Sequence, residues 1–285
     1  MRLVEFGSGP LLVLIPGIQG RWQYLGPAVD ALASSFRVVT FPLCGEPDCD
    51  VRFDPALGFD NDARIILEAI DRHGFERAII CGISFGGLPA IRFAATHPER
   101  TAALVLVSTP GPQWRLRPRH EVYARKSWLF GPLFLVESPF RVFREIRAAL
   151  PTWRARWEFV RWQLGTLARS PLSPARMAAR AALIAGTDIV PDCARVRAAT
   201  LLVTGERDLD RIVRVDATLA YLRLVAGARH ATIENTGHLG SITRAALFAS
   251  IVKEFVESLG DAGMDVERRT EVLRCNNQSG NPDAA

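Results

Sequence analysis

Six short, mostly apolar runs limit what this chain can fold into. Leu11–Ile15, Val38–Phe41, Ala78–Cys81, Leu104–Val107, Leu201–Thr204 and Ala231–Glu234 each read as a strand. Most lack the polar/apolar alternation of a half-exposed strand, which points to burial on both faces. Helical patterns fall between them, at Tyr24–Ser34, Asp62–His73, Leu88–Thr96 and Thr243–Ser258. In the last, Ala246, Phe248, Ile251, Val252 and Phe255 recur at three- and four-residue spacing. Strand alternating with helix predicts an α/β fold, with a mostly parallel central sheet flanked by helices and joined by right-handed crossovers.

The alternation stops between about Gly111 and Cys193, an interval rich in Arg, Trp and Pro that reads as helical, and resumes at Thr200. An insertion between two strands of one sheet accounts for this better than a linker between independent domains. The expected organisation is a core of residues 1–110 and 194–259, a helical insertion over 111–193, and a polar, disordered tail over 260–285.

A hydrophobic content of 48% and a charged content of 23% are ordinary for a soluble globular chain. No run approaches the roughly 18 apolar residues of a membrane span. The N-terminal MRLVEFGSGPLLVLIPG carries an early Glu, an apolar run broken by Pro16 and no small-residue cleavage site, so a cytoplasmic protein is the expectation. Cys44, Cys49, Cys81, Cys193 and Cys275 are scattered, with no C-x-x-C pair, which argues against a disulfide framework or a zinc site. Neither a metal nor a cofactor is expected.

Chemistry concentrates in three loops. The first follows the run Ala78–Cys81, where Gly82, Ser84 and Gly86 match G-x-S-x-G between a strand and a helix. A turn too tight for side chains would put Ser84 at its tip, although a serine that merely caps the helix gives the same pattern. Near the first long strand, Gly17 and Gly20 in IPGIQG could aim backbone N–H groups at a developing negative charge. The amides of Ile18 and Phe85 are the natural pair of donors. After the last strand, NTGHLG places His238 between Gly237 and Gly240, where an imidazole base could activate a serine hydroxyl. The other histidines read more plainly: His73 and His97 end helices, His120 lies in the insertion and His230 precedes a strand. A carboxylate to orient the base could come from TGERDLDRIV, which offers Asp208 and Asp210.

With these parts in this order, the chain resembles the α/β-hydrolase superfamily, of the serine esterase or lipase-like branch with a helical cap, from Leu3 to Leu259. The resemblance implies a nucleophile at Ser84, a base at His238, an oxyanion hole from the Ile18 and Phe85 amides, and elbow and loop glycines at Gly17, Gly82 and Gly86. It implies the acid at Asp210, with Asp208 as the alternative. The implied activity is cleavage of an ester or related acyl bond through an acyl-enzyme. Thioester cleavage, C–C bond hydrolysis, acyl transfer and non-catalytic ligand binding stay open on the same fold. Two departures stand out. Pro16-Gly17 replaces the His-Gly common at the oxyanion loop, and with only Leu3–Phe6 ahead of the turn at Gly7–Gly9 the sheet is expected to lack the family's first strand.

The insertion would then be a cap over the site. It holds Trp114, Trp128, Trp153, Trp157 and Trp162, read either as packing the cap onto the core or as lining a pocket for an apolar or ring-bearing acyl substrate. Between Gly111 and Arg180 fourteen Arg or Lys face four Glu and no Asp, against +5 for the whole chain. Arginines on outward helix faces would explain this, as would an entrance for anionic substrates or a peripheral contact with anionic lipid. No nucleic-acid-binding motif is present.

Overall fold

A computed structural model describes residues 3–116 and 118–260, without the side chains of His120, Phe134 and Ser138. The tail expectation and Cys275 lie outside this range, beyond Gly260. The strands are β1 (Val4–Phe6), β2 (Leu11–Ile15), β3 (Arg37–Thr40), β4 (Ala78–Ile83), β5 (Thr101–Val107), β6 (Thr200–Thr204) and β7 (Arg229–Thr232). The helices of the core are α1 (Gly26–Leu32), α2 (Asp60–Arg72) and α3 (Gly87–Thr96). Between β5 and β6 come α4 (Pro118–Arg125), α5 (Ser127–Ala149), α6 (Trp153–Arg169), α7 (Pro174–Gly186) and α8 (Val190–Cys193). Beyond β6 lie α9 (Val215–Leu219), α10 (Gly240–Thr243) and α11 (Ala245–Glu257).

The sheet runs in the order β1-β3-β2-β4-β5-β6-β7. Only β1 is antiparallel, pairing with β3 at the edge; the other pairings are parallel. Every residue of β2, β4, β5 and β6 is buried, which is why these runs show no polar alternation. Period-two geometry sends their side chains to two separate cores. Leu11, Val13, Ile15, Ile80 and Leu104 pack with Ile66 and Ile70 of α2 and Ile91 of α3. Leu12, Leu14, Ile79, Cys81 and Val105 pack with Val29 and Leu32 of α1 and Phe248 and Val252 of α11. Each such buried aliphatic side chain contributes about 1.5–3 kcal/mol.

Three expectations need correction. The last strand covers Arg229–Thr232 rather than Ala231–Glu234, because its register is set by pairing with β6, Leu201 opposite Arg229 and Thr204 opposite Thr232. His230 therefore lies within a strand, its Nε2 2.8 Å from Thr204 Oγ1. The final helix is broken into α10 and α11 at Arg244, where φ −126° and ψ 46° leave the helical region. The tryptophans of the insertion follow those readings only in part. Trp162 lies against the Gly26 backbone and Trp114 packs on the core, whereas Trp128, Trp153 and Trp157 are 81%, 77% and 62% exposed.

Candidate active site

Strand β4 delivers Ser84. The chain leaves Ile83 in extended conformation, turns through a single 3-10 turn over Ser84–Gly86, and enters α3. Ser84 itself has φ 53°, the left-handed conformation that a non-glycine residue adopts only when its surroundings hold it there. The flanking glycines serve a different need. A Cβ on Gly82 would lie 2.3 Å from the Gly86 carbonyl oxygen, and one on Gly86 would lie 2.4 Å from that of Ile15. Side chains are excluded at both positions by the closeness of the backbone.

The loops after β6 and β7 meet just as closely. A Cβ on Gly205 would fall 2.5 Å from Gly237 Cα, and one on Gly237 2.6 Å from the Leu209 carbonyl carbon. The Glu206 amide donates to the Thr236 carbonyl at 2.8 Å, and the Asn235 amide to Glu206 Oε1 at 2.7 Å. This seam sets Asp210 beside His238. His238 Nδ1 lies 3.3 Å from Asp210 Oδ2, and its Nε2 lies 3.0 Å from Ser84 Oγ. The other Asp210 oxygen accepts from the Ile212 amide at 3.0 Å and the Val213 amide at 2.8 Å, which fixes the carboxylate. Asp208, the alternative acid, points to solvent, while Asp210 is buried.

Phe85 is buried and Ile18 half-buried. Their loops adjoin, since a Cβ on Gly17 would lie 3.5 Å from Ser84 Cβ. The Ile18 loop is held from the cap: Arg180 of α7 donates to the Ile18 carbonyl at 3.1 Å. The same guanidinium reaches Glu46 at 2.8 Å, and Glu46, almost fully buried, also takes Arg21 at 3.2 Å and Arg176 at 3.0 Å. This buried cluster supplies the support that a loop with Pro16 in place of histidine must find elsewhere.

Glu145 was not legible as a site residue. It projects from α5, is buried, and its carboxylate accepts from the Leu239 amide beside His238. No spacing or motif marks Glu145, Arg180 or Glu46; the sequence separations are 94 for Glu145 to Leu239, 162 for Arg180 to Ile18 and 134 for Arg180 to Glu46.

Burial raises the Glu145 carboxyl to about 7, against the opposing pull of His238 and the Leu239 and Gly237 amides. Burial also works against the charged form of His238. The Asp210 carboxylate, by charge and hydrogen bond, and the Glu145 charge outweigh it, so the imidazole sits above its ordinary value.

Between cap and core lies a cavity of about 830 Å³, walled by Ile18, Trp114, Leu116, Met177, Ala181 and Ile212 among others, with Arg115, Arg211, Arg214 and Arg223 also on its lining. Ser84 and His238 do not line it. It borders the site through Ile18 of the glycine loop and through Arg211 and Ile212, the neighbours of Asp210.

A mostly parallel sheet covered by helices, with a serine at a strained strand-to-helix turn and helices inserted after the next strand, defines the α/β-hydrolase class. Residues 12–251 match the family model described as the alpha/beta hydrolase family, and the chain belongs to that family. It is 27% identical over 271 residues to the 2-hydroxy-6-oxo-6-phenylhexa-2,4-dienoate hydrolase of Comamonas testosteroni, covering 88% of this chain and 89% of that one. The fold is similar to an esterase from Exiguobacterium antarcticum, with TM-score 0.72 and 18% identity over 90% of this chain and 94% of the other. It is also similar to a meta-cleavage product hydrolase from Pseudomonas fluorescens IP01, with TM-score 0.69 and 22% identity over 90% and 94% of the two chains.

Proposed function

We propose that the chain is a cofactor-independent serine hydrolase that cleaves a bond to a carbonyl carbon through an acyl-enzyme on Ser84. The hydrogen-bonded line from Ser84 Oγ through His238 to Asp210 carries this reading. His238 Nε2 takes the hydroxyl proton as Oγ attacks the carbonyl carbon, and Asp210 stabilises the imidazolium. The oxyanion accepts from the Ile18 and Phe85 amides, each such donor being worth about 3–4 kcal/mol in the transition state. The imidazolium then protonates the leaving group. Water, deprotonated by His238, attacks the acyl carbon, and Ser84 leaves with that proton as the acid is released.

An ester or related acyl bond needs nothing beyond these groups. A second reading, C–C bond hydrolysis next to a ketone, is favoured by the similarity to the Comamonas testosteroni hydrolase, whose named substrate carries a 6-oxo-6-phenyl group and a carboxylate. The apolar cavity with arginines on its lining supports a small substrate of mixed character, an apolar or aromatic body with an anionic group.

Two measurements on the purified chain test this. A fluorophosphonate probe should label Ser84 and leave Ser84→Ala unmodified. A panel of p-nitrophenyl esters of increasing length, run beside 2-hydroxy-6-oxo-6-phenylhexa-2,4-dienoate, should show turnover and separate the two bond types. Labelling elsewhere, or turnover retained by Ser84→Ala, overturns the mechanism; tight ligand binding with neither labelling nor turnover would instead identify a hydrolase-fold receptor.

A further inference from the structure

Helices α5 and α6 each bury one face and leave a second apolar stripe in solvent. On α5 the outward residues are Leu129, Leu133, Val136, Phe140 and Phe143, spaced by four, three, four and three. That spacing follows one face of a helix, and Glu145 and Ala149, which are buried, occupy the opposite face. On α6, Trp153, Trp157, Val160, Leu164 and Leu167 repeat the same spacing, all exposed, while Thr166 is buried and Trp162 packs inward on Gly26. Single exposed apolar residues are normal on soluble proteins; two continuous stripes of large ones are not.

The charged residues beside the stripes are predominantly positive. Arg125 and Lys126 precede α5, Arg144 and Arg147 sit in its last turns, and Arg154, Arg161 and Arg169 lie along α6, all exposed. Of the four Glu between Gly111 and Arg180, Glu145 is buried and Glu137 is engaged by Arg119 and Arg141. Only Glu158 offsets the positive flank of α6, paired with Arg154 at 3.0 Å.

We propose that the outer faces of α5 and α6 dock the cap onto an anionic lipid surface. An apolar helix face bordered by Arg, with Trp among its apolar residues, matches what lies in the plane of a bilayer interface. The arginine stems can lie along the apolar surface while the guanidiniums reach lipid phosphates. Association of two copies through these faces fits less well, because it would bring like charges together at the border of the contact. No helix among the described residues is long and apolar enough to cross a membrane, so the contact is peripheral.

The test is co-sedimentation of the full chain with vesicles of phosphatidylcholine alone and of phosphatidylcholine with about 30% phosphatidylglycerol. Binding to the anionic vesicles only, falling as salt rises from about 50 to about 500 mM, is the expected result. Trp153→Glu/Trp157→Glu and Phe140→Glu/Phe143→Glu should each weaken binding by about tenfold or more. Because the substituted side chains are exposed, circular dichroism and Tm should stay unchanged and separate lost docking from lost folding. No binding to anionic vesicles, binding unaffected by either double variant, or concentration-dependent dimers that the same variants abolish would each overturn the proposal. Binding that appears only after removal of residues 261–285 would also overturn it, making that segment the occupant of these faces.

Discussion

Glu145 of the cap accepts a hydrogen bond from the amide of Leu239, the residue after His238. The cap thus holds the histidine loop directly and sets a second carboxylate, beside that of Asp210, close enough to act on the imidazole. Glu145→Gln keeps an acceptor for the Leu239 amide and removes the charge. The acid limb of kcat/KM should then move to lower pH, because the imidazolium loses one stabilising charge while the hydrogen bond persists. A stopped-time assay across the pH range reads this shift.

The same substitution has an effect on stability with a definite sign. The Glu145 carboxyl rises from 4.5 to about 7 in the folded chain. Between those values the folded state keeps a proton that the unfolded state releases, so stability falls as pH rises through this window. Glu145→Gln removes that decline. The Tm difference between variant and wild type, measured at several pH values, should therefore grow in favour of the variant from acid to neutral pH.

On the proposed mechanism, His238 of the wild-type chain must be neutral to take the Ser84 proton. Its raised value means that activity disappears as pH falls through a point above the ordinary imidazole value of about 6.5. An acid limb at or below that value would show that the carboxylates do not act on His238 as the geometry requires.

Asp210 and Asp208 lie two residues apart and should respond differently. Asp210→Asn removes the negative partner of Nδ1 and should lower kcat by about 10⁴-fold with the fold retained. Asp208→Asn alters an exposed side chain and should leave kcat/KM within about twofold. Steady-state kinetics on the two variants distinguishes them.

Glu46 is buried among Arg21, Arg176 and Arg180. Glu46→Gln leaves these guanidiniums without their shared counter-charge, apart from Asp48, which still holds Arg21 at 3.0 Å. Loss of about 3 kcal/mol is expected in urea unfolding, with reduced turnover because Arg180 also supports the Ile18 carbonyl.

Much of this protein was legible from the chain alone because the relevant physics is local. The runs that became β2, β4, β5 and β6 announced themselves by lacking alternation, which follows from burial on both faces of a parallel sheet. The turn at Gly82–Gly86 was legible for a similar reason, since strand, serine and helix are contiguous and the glycines answer to backbone a few residues away and to the neighbouring strand. What local pattern left open was decided by contacts between distant segments. Both Asp208 and Asp210 fit the acid loop; it is Asp210 that lies beside His238, because the Gly205–Gly237 seam buries it there. The register of β7 depended on β6, and Trp153 and Trp157 of α6 faced outward although their spacing was equally suited to packing inward. Glu145 and Arg180 carry no motif at all, because a side chain that acts on a loop 94 or 162 residues away leaves no trace in its own neighbourhood. Periodicity and turn chemistry are properties of adjacent residues, so the sequence determined the central strands and the elbow. Burial and hydrogen-bond partnership arise only when the chain closes on itself, so the tertiary structure alone decided which carboxylates surround His238.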